Sequence, residues 1–273
     1  MDSNSVKTQG IDLVLFIGQS NMAGRGSASK RWPQKAPKLI EGAAWEYRAI
    51  SQPDRLLPLE EPFGVNENVS GGINDVFSGN EKAKTGSLVT AFCNAYYENT
   101  GRVIVGISAS KGGSTITEWL PGDPLKTGYY MDMMKRMQMA ESYLCREQIP
   151  IRRRFAVWSQ GESDGDVGTT KDAYKTLFHS FWTCLSDVVD VLFIIKTGHC
   201  NQKGCNDRYL TIQMAQEEIA REEKNVHIVS RIFGEMLAEG LMKDAFHYYQ
   251  HGYNLCGEEA GRNAAVFFAG NNT

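Results

Sequence analysis

The chain has 273 residues, of which 42% are hydrophobic and 22% charged, with a formal net charge of -3. That length is enough for a full core in one large domain or two small ones, and the composition is that of an ordinary globular protein. The weak negative balance supplies no basic field for nucleic acid or for an anionic membrane surface, so a small neutral substrate fits better than a polyanion.

The first ten residues, MDSNSVKTQG, lack the charged-then-apolar pattern of a leader peptide, and no run approaches the roughly 20 apolar residues of a membrane span. Cytoplasm is the default expectation, with secretion the alternative for a chain already trimmed of its leader. The first regular element is the apolar run at residues 11–17, with the length and branched content of a buried strand. It ends in GQSNMAG, Gly18 to Gly24. A serine at the carboxyl end of such a strand stands where open α/β sheets present reactive groups, which makes Ser20 the candidate nucleophile. As a purely structural segment, the same stretch is a turn in which Ser20 caps a helix.

Residues 25–86 carry five of the eight prolines and no sustained period, and read as a long loop insertion that walls the site. Trp32 and Trp45 within it read as anchors of the loop, with stacking on a sugar ring as the alternative. Helical spacing returns over 87–98, and a second strand is expected over 102–108. It runs into Lys111-Gly112-Gly113-Ser114, where adjacent glycines let backbone N–H groups approach a ligand, as an oxyanion site requires, or form a tight turn. Residues 131–148 read as a methionine-rich core helix.

The third strand, 154–158, ends in Ser159-Gln160-Gly161-Glu162-Ser163-Asp164. An amphipathic helix over 171–188, a strand over 191–196, a helix over 207–224, a strand over 226–231 and a last helix over 248–267 complete the pattern. His179 and His227 lie inside these elements and read as packed. The six cysteines are scattered. Cys93, Cys145 and Cys184 read as buried thiols, while Cys200 and Cys205, near His199, leave a metal site or a disulfide open.

Alternating strands and helices imply a three-layer α/β/α, flavodoxin-like, doubly wound sheet of about five parallel strands, as one domain over 1–273, and the order 2-1-3-4-5 is chosen among related orders. Ser20, Gly112, Gly113 and Gln160 then all follow carboxyl ends of parallel strands and share one sheet edge. After strand five comes Lys243-Asp244-Ala245-Phe246-His247. A spacing of three lets Asp244 accept from one imidazole nitrogen while the other faces Ser20, the arrangement a serine needs to lose its proton. His251 is the fallback base. Ser20 N–H, an N–H at Gly112 or Gly113, and the Gln160 amide are the expected oxyanion donors. Glu162 and Asp164 could be a glycosidase pair, but they read better as groups holding the loop or touching substrate. Gln19, Asn21, Arg25, Trp32 and Trp119 are further candidates of that kind.

Four blocks carry a resemblance: GQSNMAGRG at Gly18 to Gly26, SKGGSTITEW at Ser110 to Trp119, WSQGESDG at Trp158 to Gly165, and DAFH at Asp244 to His247. In this order the chain resembles the SGNH (GDSL-like) hydrolase superfamily, in the branch containing sialate O-acetylesterases and acetylxylan esterases. The resemblance implies a carbohydrate O-acetylesterase that needs neither metal nor cofactor and acts on an acetylated carbohydrate. It also implies Ser20 as nucleophile, His247 as base and Asp244 as its orienting partner. Members often have histidine where this chain has Ser159. The rival expectation is a non-catalytic flavodoxin-like protein that binds a phosphate or carbohydrate ligand. Against the phosphate form, GRGSASK at Gly24 to Lys30 lacks the spacing of a P-loop.

Overall fold

Strand β1, Ile11–Gly18, is buried along all eight residues, the environment of a central parallel strand covered on both faces. The computed structural model describes residues 9–69 and 84–270. Residues 1–8, part of the leader reading, and 70–83, part of the long loop, lie outside the described residues.

Beyond β1 the order is α1 (Ser20–Ala23), β2 (Ala44–Tyr47), β3 (Leu56–Pro58), α2 (Val89–Thr100), β4 (Ile104–Ser110), α3 (Tyr129–Arg146), β5 (Ile151–Ser159), α4 (Glu162–Val167) and α5 (Lys171–Leu185). Then come β6 (Val191–Ile195), α6 (Asn206–Glu222), β7 (Val226–Ser230) and α7 (Gln250–Gly270). The sheet order is β3-β2-β4-β1-β5-β6-β7. Its five long strands, β4-β1-β5-β6-β7, follow the expected 2-1-3-4-5 order. The chain adds two short strands at one edge: β2 runs parallel to β4, and β3 antiparallel to β2. At four and three residues, neither is long enough for a period-two signal, and Pro58 is tolerated because β3 is an edge strand.

Two apolar clusters cover the two faces. One joins the sheet to α3, α5 and α6, the other to α2 and α7. Met133 and Met137 of α3 are buried in the first, as expected of a core stripe, whereas Met131 is exposed. The small residues of α7 pack closely against another helix as well: Gly257 and Gly261 abut the carbonyls of Leu88 and Phe92 at α2. Asp12, buried inside β1, is held by Tyr96 Oη at 2.7 Å and by Arg102 Nη2 at 2.5 Å, so its charge is paired. Among the described residues, no helix is long and apolar enough to cross a membrane.

Register sets the site. Gly18 pairs with Ser110 of β4 and with Ser159 of β5, so the three loops that leave these strands start at one level on the same edge.

Candidate active site

The turn after β1 depends on Gly18. Its φ is +133°, and a Cβ there would lie 2.1 Å from the Ser159 carbonyl oxygen. Only a residue without a side chain permits this approach, at the point where Gln19 N–H donates to Ser159 O at 2.9 Å. The chain then enters α1 with Ser20, which is 8% exposed.

After β4, Lys111 N–H donates to Gly18 O at 2.8 Å, tying the second loop to the first. The turn from Lys111 to Ser114 closes through Ser114 N–H and Lys111 O, with Gly113 at φ +79°, the left-handed region that favours glycine. The backbone N–H groups of Ser20, Gly112 and Gly113 have no protein acceptor among the described residues. Groups that would normally be paired are thus free to meet a ligand.

Asp244 and His247 sit in a bent loop rather than a helix, bridged at its base by Met242 and Tyr248. Asp244 Oδ1 accepts from the backbone N–H groups of Phe246 and His247, both at 2.8 Å, and Oδ2 lies 2.9 Å from His247 Nδ1. Burial pushes the Asp244 carboxyl upward, but the bonds from His247 and from the backbone outweigh it and hold the group well below the usual carboxylate range. An ionised carboxylate can only accept, so Nδ1 carries the hydrogen. That leaves His247 Nε2, 2.9 Å from Ser20 Oγ, as the acceptor of the serine proton.

Asn21 locks the parts together. Its Nδ2 donates to Glu162 Oε1 at 2.5 Å and to Phe246 O at 3.1 Å, while its Oδ1 accepts from Tyr253 Oη at 2.6 Å. The serine turn, α4, the histidine loop and α7 therefore meet on one side chain. Burial raises the carboxyl pKa values of Glu162 and Asp164. Asp164 accepts from Ile116 N–H, Thr169 Oγ1 and Gln160 Nε2, which makes it a brace of the loops, as expected.

A cavity of about 340 Å³ opens over Ser20. Gln19, Arg25, Gly112, Gly113, Glu162 and His247 line it with Ser20, and Ser163, Asp166 and Phe246 join them. Ser163 and Phe246 stand beside candidate residues inside the third and fourth blocks, and Asp166 lies just past the third, so proximity in sequence was the available signal. Asp166 accepts from Tyr209 Oη at 3.0 Å.

Two expectations need correction. Gln160 does not have a hydrogen to offer a ligand, because both amide hydrogens are engaged: Nε2 donates to Ser114 O at 3.0 Å and to Asp164 Oδ2. Its oxygen accepts from Tyr174 Oη, and the residue is 1% exposed beneath the cavity. Its place in the buried network makes it a support for the Gly112–Gly113 turn. Trp119 is no substrate contact either. It is fully buried against Trp158 and Tyr129, and its Nε1 donates to Ser114 Oγ at 2.9 Å. Trp32 stacks on His251 and donates to Gly240 O, an anchoring role that also removes His251 from the serine. Trp45 packs on the core, and His179 pairs with Glu223.

Cys200 and Cys205 form a disulfide, with Cα atoms 6.0 Å apart. Among the described residues, no group of three or more His, Cys, Asp or Glu side chains is arranged to hold a metal. The bridge packs with Tyr209 against Phe246, and Asn201 N–H donates to Ala245 O at 2.9 Å, so this loop braces the one that carries Asp244 and His247. Closing so short a loop contributes about 2 kcal/mol. Replacing both cysteines by serine is expected to lower the melting temperature by roughly 4–8 °C and to reduce turnover, measured by thermal unfolding and aryl acetate hydrolysis. Unchanged values in both would remove the bracing role.

Comparison with known proteins gives a family and a fold. The sequence profile described as carbohydrate esterase, sialic acid-specific acetylesterase matches residues 10–265. In fold, the chain is similar to a protein from Arabidopsis thaliana, at 20% identity over 94% of this chain and 98% of that one, with a TM-score of 0.68. It is also similar to a carbohydrate acetylesterase from Xanthomonas citri, at 15% identity over 94% of this chain and 57% of that one, TM-score 0.58. A third likeness is to a catalytic mutant of an acetylxylan esterase from Geobacillus stearothermophilus, at 14% identity over 93% and 94%, TM-score 0.53. A sequence search of curated proteins gives no match. The four sequence blocks lie within the matched residues, three of them on the loops around Ser20, and the chain belongs to the carbohydrate esterase family of sialic acid-specific acetylesterases.

Proposed function

We propose that this carbohydrate O-acetylesterase works by acyl transfer through Ser20, with His247 as general base and acid and Asp244 as its orienting partner. The observation that carries the reading is the continuous chain from Asp244 Oδ2 to His247 Nδ1 and from His247 Nε2 to Ser20 Oγ, each step 2.9 Å. A serine hydroxyl is a weak nucleophile until a base within hydrogen-bond reach takes its proton. As Ser20 Oγ attacks the acetyl carbonyl, its proton passes to His247 Nε2, and the oxyanion faces the free N–H groups of Ser20 and of the Gly112–Gly113 turn. His247 then protonates the departing sugar hydroxyl. Water, deprotonated by the same nitrogen, attacks the acetyl-enzyme and frees acetate.

The acetylated carbohydrate class follows from the family and agrees with the names of two structural relatives, a carbohydrate acetylesterase and an acetylxylan esterase. A non-catalytic binding protein would leave the aligned hydroxyl, imidazole and carboxylate without a role. The test is acetate release from acetylated xylan, acetylated mannan, O-acetyl sialic acid and small sugar acetates, alongside labelling with a serine-directed phosphonate. Acetate from at least one substrate and a single adduct on Ser20 are expected. No acetate from any of them, or an adduct elsewhere, would overturn the assignment.

A further inference from the structure

A site that stabilises an oxyanion needs donors whose hydrogens have no other acceptor and whose direction is fixed before the substrate arrives. Gln160 fails the first condition, because Ser114 O and Asp164 take both of its amide hydrogens. Gln19 meets both. Its Oε1 accepts from the backbone N–H of Gly161 at 3.1 Å and of Ser163 at 3.3 Å. Two N–H donors on one amide atom require that atom to be the oxygen, so the orientation of the amide is determined and Nε2 points away from α4.

Gln19 lines the same cavity as Ser20, Gly112 and Gly113, and its Nε2 has no protein acceptor among the described residues. Nor is that nitrogen sealed in the interior. The buried polar side-chain atoms that lack a partner among the described residues are Trp45 Nε1, Trp158 Nε1, Glu162 Oε2 and His227 Nε2. A 3% exposed side chain held at its oxygen end therefore keeps its NH2 group in contact with the cavity.

We propose that Gln19 Nε2 is the side-chain donor to the acetyl carbonyl oxygen, beside the N–H groups of Ser20 and the Gly112–Gly113 turn. The inference rests on the acyl-transfer reading above. As the Ser20 Oγ–carbon bond forms, the carbonyl π pair moves onto oxygen and the hydroxyl proton moves to His247 Nε2. Gln19 N–H donates to the resulting oxyanion. On collapse, the bond from carbon to the sugar oxygen breaks, and that oxygen takes the proton back from His247. Gln19 supplies no proton and no electrons; it touches the atom on which charge develops. Its position next to Ser20 in sequence keeps donor and nucleophile on one rigid turn.

Gln19→Glu separates this role from a structural one. The variant keeps an acceptor oxygen for the Gly161 and Ser163 N–H groups but replaces the NH2 group by an oxygen carrying negative charge. With 4-nitrophenyl acetate, kcat is expected to fall about 10²- to 10³-fold, with KM within about threefold and an unchanged melting temperature. A kcat within threefold of the wild type would overturn the proposal, because a carboxylate placed where the donor faces the developing oxyanion must oppose it. Gln19→Met is the second variant, since it keeps the volume and removes the donor. Because methionine also lacks the acceptor for the Gly161 and Ser163 N–H groups, a lower melting temperature is expected beside the kcat loss. A kcat loss with Ser20 phosphonylation slowed in proportion supports the donor role, while a loss confined to KM or to melting temperature overturns it. Ser20→Ala run alongside separates the two failures. An active Ser20→Ala enzyme sinks the acyl-transfer reading, whereas an inactive one beside a fully active Gln19→Glu enzyme sinks only the Gln19 assignment.

Discussion

Replacing Ser20 by alanine is expected to lower kcat for an aryl acetate by about 10⁵- to 10⁶-fold, the range seen when a triad serine is removed from other hydrolases. The change deletes one oxygen, hydrogen-bonded to His247 Nε2. It leaves the turn intact, because Gly18, the Gln19 N–H bond to Ser159 O and the Asn21 network do not use the serine hydroxyl. Far-ultraviolet circular dichroism and the melting temperature should therefore match the wild type. Residual hydrolysis above the uncatalysed rate should persist, since the oxyanion donors remain. Undiminished turnover in a folded Ser20→Ala protein would end the nucleophile assignment.

The histidine and its carboxylate should follow in a defined order. His247→Gln removes the base and is expected to cost about as much as the loss of Ser20, whereas Asp244→Asn should cost about 10⁴-fold. The reason for the smaller but still large effect is geometric. The backbone N–H groups of Phe246 and His247 hold Oδ1, so an asparagine there would keep its oxygen on them and turn its NH2 toward His247 Nδ1. That forces the imidazole hydrogen onto Nε2, which then cannot accept the Ser20 proton.

The pH dependence has a definite sign. The folded-state pKa of Asp244 is depressed, so its stabilising contribution is present above the ordinary carboxylate range and is lost only as pH falls through the depressed value. Between pH 5 and 9, about the span used for assays, Asp244 stays ionised. Protonation of Asp244 therefore supplies no acidic limb of the rate profile in that span, and its carboxyl carbon resonance should not titrate there. A carboxyl resonance of Asp244 that titrates between about pH 5 and 9 would contradict the ionised carboxylate.

Much of this was legible because the signals are local. The apolar run at 11–17 became the central strand, Gly112 and Gly113 formed the expected turn, and DAFH brought its aspartate and histidine within 2.9 Å of each other over a three-residue spacing. The edge strands Ala44–Tyr47 and Leu56–Pro58 escaped notice, because their order comes from pairing beside β4 rather than from their own pattern. The disulfide was among the disfavoured readings of Cys200 and Cys205, because no paired spacing marks it, and only their approach in the folded loop establishes it.

The 2-1-3-4-5 order was one choice among related orders until strand pairing fixed it. The sequence by itself determined the edge on which the candidate residues stand and the spacing that lets Asp244 meet His247. Each depends on periodicity or spacing within one element, together with the rule that parallel strands share a carboxyl edge. Tertiary structure alone decided between two glutamines that the sequence presents alike, each following a strand and preceding a helix. Gln160 has its amide hydrogens taken by Ser114, 46 residues away, and by Asp164, whereas Gln19 has its oxygen taken by Gly161, 142 residues away, and keeps its hydrogens for the cavity. Competition for a hydrogen bond is settled by whichever partner packing brings within about 3 Å. No local pattern records that partner.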